Sequence, residues 1–263
     1  MKILLQVGYI GSRYRGYQRQ PGTGETIQTI LEEALEKALG ERVKTLAAGR
    51  TDKGVHSKAQ MVQLEIKSQK AGKIPLERYP RTINPLLPED IRIYGAWLAP
   101  ESFHVRYSKS LKTYCYRLDT GAVPQLESIP FALHYPYPLD REKMEGAAAT
   151  LIGTHDFSAF ASRYSGVKDR VRTIWDCRLE ESGPYYSLII QGNGFLHSMV
   201  RIIMGSLLDI GRGRLDQGIF LEAIRSGNRR ILGKTAAAKG LTLEAIEYEE
   251  VPELDQHSFG NRL

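Results

Sequence analysis

The stretch IQTILEEALEKALG, Ile27 to Gly40, fixes the period from which the rest of the chain can be read. Ile27, Ile30, Leu31, Ala34, Leu35, Ala38 and Leu39 recur at steps of three and four. That spacing is one face of an α-helix, and Gly40 stops it. Before it, ILLQV, Ile3 to Val7, reads as a strand followed by a polar, glycine-rich loop. After it come two strand-like segments, Val43 to Ala48 and Ala59 to Ile66, where Val62, Leu64 and Ile66 alternate with polar neighbours. A proline-bounded short helix at Leu76 to Ile83 and a strand at Ile91 to Leu98 complete the series strand, helix, strand, strand, helix, strand. The second half repeats it. Strand Lys112 to Leu118 leads to helix Arg141 to Leu151, then to strands Thr173 to Leu179 and Tyr185 to Gln191, joined through a Glu181-Ser182-Gly183-Pro184 turn. Helix Leu196 to Ile210 and strand Leu241 to Tyr248 close the repeat, and the glycine- and arginine-rich segment Gly211 to Ala238 has no assignment. Each half fits the βαββαβ ferredoxin-like pattern. The expected fold class is α+β: two such units joined into one mostly antiparallel sheet, with helices on one face and a central cleft. The expected division is residues 1–104, an N-terminal α/β subdomain, residues 105–250, a C-terminal one, and a tail at 251–263.

Composition narrows the class. The chain has 263 residues, 42% of them hydrophobic, enough for the core of one large domain or two small ones. Lysine and arginine number 36 against 30 acids, a formal net charge of +6. That balance favours anionic partners, nucleic acid first. Cys115 and Cys177 form no CxxC pair, so no thiolate metal site or redox motif is readable, and two reduced thiols are the simpler expectation. MKILLQVGYIGSRYRG has too short an apolar run for a signal peptide. No segment approaches the ~20 apolar residues of a membrane helix. A soluble cytoplasmic protein is expected.

Several stretches gather side chains that carry chemistry. GRTDKGVHS, Gly49 to Ser57, packs Arg50, Asp52, Lys53 and His56 into a glycine-bounded segment that suits a solvated turn as well as an active-site loop. YIGSRYRGYQRQ interleaves Arg13, Arg15 and Arg19 with Tyr14 and Tyr17. Guanidinium groups pair with phosphate, and flat rings stack on unpaired bases. FHVRYSKSLKTYCYRL repeats the mixture, with Arg106, Lys109, Lys112 and Arg117 beside Tyr107, Tyr114 and Tyr116. On a strand Lys112, Tyr114 and Tyr116 share a face. RYSGVKDRVR sets Arg163, Lys168, Arg170 and Arg172 against Asp169, either a phosphate-binding patch or a solvated charge run. GNGFLHSMVRIIMG places Arg201 inside an apolar helix. Buried there, it needs a carboxylate or phosphate partner; on the helix edge it snorkels. His197 reads as a structural histidine. Other chemistries have little support. GKT at Gly233 to Thr235 resembles the end of a P-loop, but Asn228 holds the required glycine position. No GxGxxG follows a strand, the zinc deaminase signature is absent, and the six histidines lack metal-ligand spacing.

Together these blocks resemble the tRNA pseudouridine synthase A family, the TruA family. GRTDKGVHS is similar to its GRTDxGVH signature. SRYRGYQRQ, FHVRYSKSLKTYCYRL, GTHDFSAF, VRTIWDCRLE, GNGFLHSMVRIIMGSLLDIGRG and TAAAKGLTLEAIEY look like family blocks in family order, from about Ile3 to Tyr248. The resemblance implies that uridine in RNA is detached at its N1–C1′ bond, turned, and rejoined through C5, with no cofactor and no metal. It puts the essential aspartate on Asp52 and its basic partner on Arg201. The tyrosine that stacks on the target base falls on Tyr114, an apolar residue of the uracil pocket on Leu241, and the arginine that helps flip the base on Arg50. It implies a homodimer that holds one tRNA across both subunits and modifies uridines 38 to 40 of the anticodon stem-loop. Lys53 and Ser57 stand where many members carry alanine, and Ile10 where the family often has aspartate. These departures bear on local loop contacts rather than on the reaction. A non-catalytic RNA-binding protein and a synthase for other RNA positions are the alternatives. Release of tritium from uridine C5 separates the first from an enzyme, and mapping the modified positions separates the second.

Overall fold

Thr26 starts the helix that the periodicity marks. Its side chain accepts the Thr29 N–H at 3.2 Å, and Gly40, at φ +69°, ends the helix with its N–H on Glu36 O. This is α1, Ile27–Leu39, and its buried Leu31 and Leu35 each contribute about 1.5–3 kcal/mol through burial. The computed structural model describes residues 1–20, 22, 24–67, 74–162, 167–249 and 251. The chain divides into two compact units, Met1–Ser110 with Leu243–Leu263, and Leu111–Thr242.

The first unit contains β1 (Lys2–Tyr9), α1, β2 (Thr45–Ala47), β3 (His56–Glu65), α2 (Tyr79–Ile83) and β4 (Ile91–Leu98). β1 runs antiparallel to both β3 and β4, and β2 runs antiparallel to β3. Leu5 lies opposite Val62 and Ala96, so the apolar alternation of three strands builds one face. α1 and α2 close that face, with Ile3, Leu5, Val7, Val62, Leu64, Ile91 and Ile93 in the same core as Ile27, Leu31, Leu35 and Ile83. The β1–β3 register shifts between Val7 and Tyr9, so the end of β1 bends away from the regular ladder. Beyond Thr242, the last strand among the described residues returns beside β3, where Ser57 Oγ donates to Leu243 O at 3.5 Å and Lys58 pairs with Glu244 at 2.8 Å.

The second unit contains most of β5 (Ser110–Asp119), then β6 (Leu133–His134), α3 (Arg141–Ala149), β7 (Gly153–Asp156), β8 (Val171–Ser182), β9 (Tyr185–Gly192), α4 (Met199–Gly211) and α5 (Ile219–Ser226). β10 (Leu241–Tyr248) begins in it. The sheet order is β5-β9-β8-β7, all antiparallel, with β6 parallel to β5. α3 packs on α4 and β8. β1 pairs with β3 and β3 with β2, and β5 pairs with β9 and β9 with β8, so with β6 and β7 set aside as additions both units show the strand pairing of the βαββαβ pattern. The mixed, mostly antiparallel class is therefore the one expected.

Three readings change. The unassigned Gly211 to Ala238 contains α5, whose Phe220 joins an aromatic chain with Phe160 and Phe157. β7 lies in GTHDFSAF, where no strand was expected. The helix expected from Leu196 starts at Met199, because Ser198 takes a left-handed φ of +62°.

Candidate active site

Asp52 sits in the loop that joins β2 to β3, and the residues around it are pinned from below. Gln60 occupies a position on the apolar face of β3 but is fully buried. Its amide donates to Gly49 O at 2.9 Å and accepts the Gly49 N–H at 3.4 Å. Thr51 is also buried, with Oγ1 2.8 Å from the Tyr9 hydroxyl and its carbonyl accepting the Tyr17 N–H at 3.2 Å. Burial pushes the Tyr9 phenol up to about 12. On the other side of Asp52, its carbonyl accepts the Val55 N–H at 3.1 Å across Gly54, which has φ +83°. The loop thus enters and leaves Asp52 on fixed backbone. The Asp52 side chain is half-buried, while Arg50 and Lys53 are exposed.

The arginine-rich loop after β1 packs against this one. Gly11 donates to His56 Nδ1 at 3.2 Å and lies so close that a Cβ there would stand 1.9 Å from Val55 O. Only glycine fits that approach. Arg13, Arg15 and Arg19 are exposed. Arg13 is 3.4 Å from Asp90, and Arg19 is 2.9 Å from Glu32, which also accepts the Thr45 N–H. The rings between them do not offer open faces. Tyr14 is 3% exposed and donates its hydroxyl to Asp90, and Tyr17 is 2% exposed. Stacking of bases on either ring is therefore overturned: both belong to the core beneath α1.

The remaining expected residues lie in the second unit. Tyr114 is on β5, 8% exposed and edge-on to Phe195, with ring centroids 5.1 Å apart. Arg201 is half-buried on α4, where its Nε–H donates to Ala236 O at 2.9 Å and its carbonyl accepts the Ala236 N–H at 3.0 Å. Tyr116 donates to Ala237 O at 2.7 Å and feels the Arg201 charge. Leu241 is buried at the start of β10. The segment from Ala236 to Leu241 therefore lies against both the Tyr116 and the Arg201 positions. Lys168 and Arg170 immediately precede β8 and Arg172 lies on it; Arg172 donates to the Asp169 and Val171 carbonyls and Arg170 to Val167 O at 3.5 Å. Arg163 lies outside the described residues. His197, expected to be structural, is exposed.

Phe195, Tyr9 and Gln60 were missed by reasoning from sequence. Phe195 stood in GNGF without a partner to point to it. Gln60 had a legible signal, a polar residue in register with Val62, Leu64 and Ile66 on the buried face of a strand. Among the described residues no group of three or more His, Cys, Asp or Glu is placed to hold a metal ion, and no helix is long and apolar enough to cross a membrane. Cys115 and Cys177 are both buried and form no disulfide with each other.

Comparison with known proteins gives a consistent result. A family profile described as tRNA pseudouridine synthase matches residues 6–108 and 147–249. A protein of Bacillus pumilus named tRNA pseudouridine synthase A is 40% identical over 95% of this chain and 100% of its own. One of Halalkalibacterium halodurans is 40% identical over 91% and 90% respectively, and one of Bacillus subtilis 37% over 95% and 100%, both with the same name. Among solved structures, an archaeal box H/ACA sRNP Nop10-Cbf5 complex aligns at a TM-score of 0.31 and 12% identity, over 79% of this chain and 54% of that one. That likeness is too distant to carry an argument.

Proposed function

The chain belongs to the tRNA pseudouridine synthase family, and from that premise we propose that its isomerisation depends on Asp52 and acts on uridines 38 to 40 of the tRNA anticodon stem-loop. The activity is that of an isomerase on tRNA uridine. In the reaction the N1–C1′ bond breaks, the base turns, and a C5–C1′ bond forms. The C5 hydrogen leaves to solvent as a proton, and N1 takes one up. Positive charge builds at C1′ as the first bond breaks, and a carboxylate held there stabilises or captures it.

The observation that supports this role is the pinning of Gly49 and Thr51 by the buried Gln60 and Tyr9. A carboxylate on fixed backbone loses little freedom when the transition state forms. Arg201 serves as the basic residue of the site, Tyr114 gives the extruded base a stacking surface, Leu241 lines its pocket, and Arg50 assists the flip. Arg13, Arg15, Arg19, Arg163, Lys168, Arg170 and Arg172 supply phosphate contacts. The working form is a cytoplasmic homodimer, an arrangement supported by basic side chains in both units of one chain. A monomeric mass in light scattering, together with full activity, contradicts the dimer.

The target is tested on unmodified tRNA labelled with tritium at uridine C5. Release is expected from transcripts with uridine at 38, 39 or 40 and lost when those positions are cytidine. Release that persists from the cytidine transcript assigns the enzyme to other positions. Binding without release from any transcript leaves an RNA-binding protein.

A further inference from the structure

The turn His104–Ser108 precedes β5 in the first unit and is tied down atom by atom. His104 O accepts the Tyr107 and Ser108 N–H groups at 3.0 and 2.9 Å. His104 Nδ1 accepts the Arg106 N–H at 3.2 Å, and Ser108 Oγ accepts the His104 N–H at 3.2 Å. Between these residues Val105 is fastened to β3 by its N–H on Gln63 Oε1 at 3.0 Å, and its carbonyl accepts the Tyr248 hydroxyl. The imidazole so fixed carries the Tyr107 ring, stacked at 4.3 Å between centroids and 27° between planes. Tyr107 is nonetheless 82% exposed. One face of the ring is backed by His104 and the other meets solvent. An aromatic held in place with an open face is the surface on which an unpaired base stacks.

Arg106 turns the other way, toward the loop of Asp52. Its Nε–H donates to Ala47 O at 3.0 Å, and it is half-buried. Burial and the Arg50 charge together hold its guanidinium below the usual arginine range. A guanidinium fixed at Nε by a backbone carbonyl keeps its charge and its remaining donors for a phosphate. We propose, on the reading that the chain acts on tRNA, that this turn is a nucleotide subsite: Tyr107 stacks an unpaired base while Arg106 holds a neighbouring phosphate.

The test uses the full chain, an unmodified tRNA transcript and filter binding over a range of salt. Tyr107→Ala is expected to weaken binding by about 5- to 150-fold, and Tyr107→Phe to stay within about twofold of the wild type. Arg106→Gln is expected to lower the slope of log Kd against log salt by about one. Arg106→Lys loses the bond to Ala47 but keeps the charge, and is expected to retain the slope. Unchanged affinity in Tyr107→Ala, or an equal loss in Tyr107→Phe, overturns stacking. An unchanged slope in Arg106→Gln, or the same drop in Arg106→Lys, overturns the phosphate contact. Tritium release by the wild type is read on the same tRNA. Its absence refutes the synthase reading, whereas the subsite is judged on binding alone.

Discussion

Tyr9 is a buried phenol whose hydroxyl meets Thr51, one residue before Asp52. Tyr9→Phe removes that bond and is expected to cost about 1 kcal/mol of stability at neutral pH. It also changes the response to alkali. The folded phenol titrates at about 12 against 10.0 for the free group, so its contribution is fully present below the lower value and is lost as pH rises through the upper one. Urea midpoints measured at pH about 9 and about 11.5 should therefore fall less for Tyr9→Phe than for the wild type. Parallel falls would show that Tyr9 does not carry the linkage. Tyr114 tests a ring rather than a hydroxyl. Tyr114→Phe keeps the ring that faces Phe195 and should retain most tritium release, whereas Tyr114→Leu should lose on the order of 1–3 kcal/mol of transition-state binding. Equal activity of the two variants would remove stacking from the account. At this level the sequence showed Asp52 only through the resemblance, because a charged turn and an active-site loop share one composition. Tyr9 and Gln60 were not legible as a pair, since they meet Thr51 and Gly49 only after distant strands have paired.

Elements were legible in proportion to their periodicity and caps. α1 was read to the residue because seven apolar positions share its face and Gly40 ends it. β7 was not, because its four residues alternate only between half-buried and exposed and carry no apolar run. α5 was hidden among glycines and arginines, although Phe220 and Ala223 are its buried face. The GKT string shows why a motif needs its context. Gly233 donates its N–H to Ser206 Oγ at 3.0 Å and presses against α4, so it packs a helix rather than cradling a phosphate. The same contact continues at Gly205, where a Cβ would stand 1.7 Å from Lys234 O. Gly205→Ala must push away the segment that holds Arg201 through Ala236. We expect a loss of about 1–3 kcal/mol in unfolding free energy, with a lower rate of tritium release. An unchanged denaturant midpoint would mean that this close approach does not exist in solution.

The whole chain separates two tasks that one assay would confuse. Holding tRNA falls to many cations, part of a net charge of +6. Under the proposed role of Asp52, turning the uridine over falls to one carboxylate. The repeat of βαββαβ order and the basic balance were both readable from the chain, because pattern and charge add up over many residues. The substrate position was not, because it depends on which RNA surface those cations fit. Asp52→Asn divides the two tasks. Asparagine is nearly isosteric, cannot stabilise charge at C1′, and leaves the phosphate contacts in place. Tritium release and filter binding, measured together on one tRNA at fixed salt, are expected to show release lower by at least about a hundredfold with tRNA affinity retained. Release at about a tenth of the wild-type rate or more, or affinity lost in step with release, would contradict a catalytic Asp52.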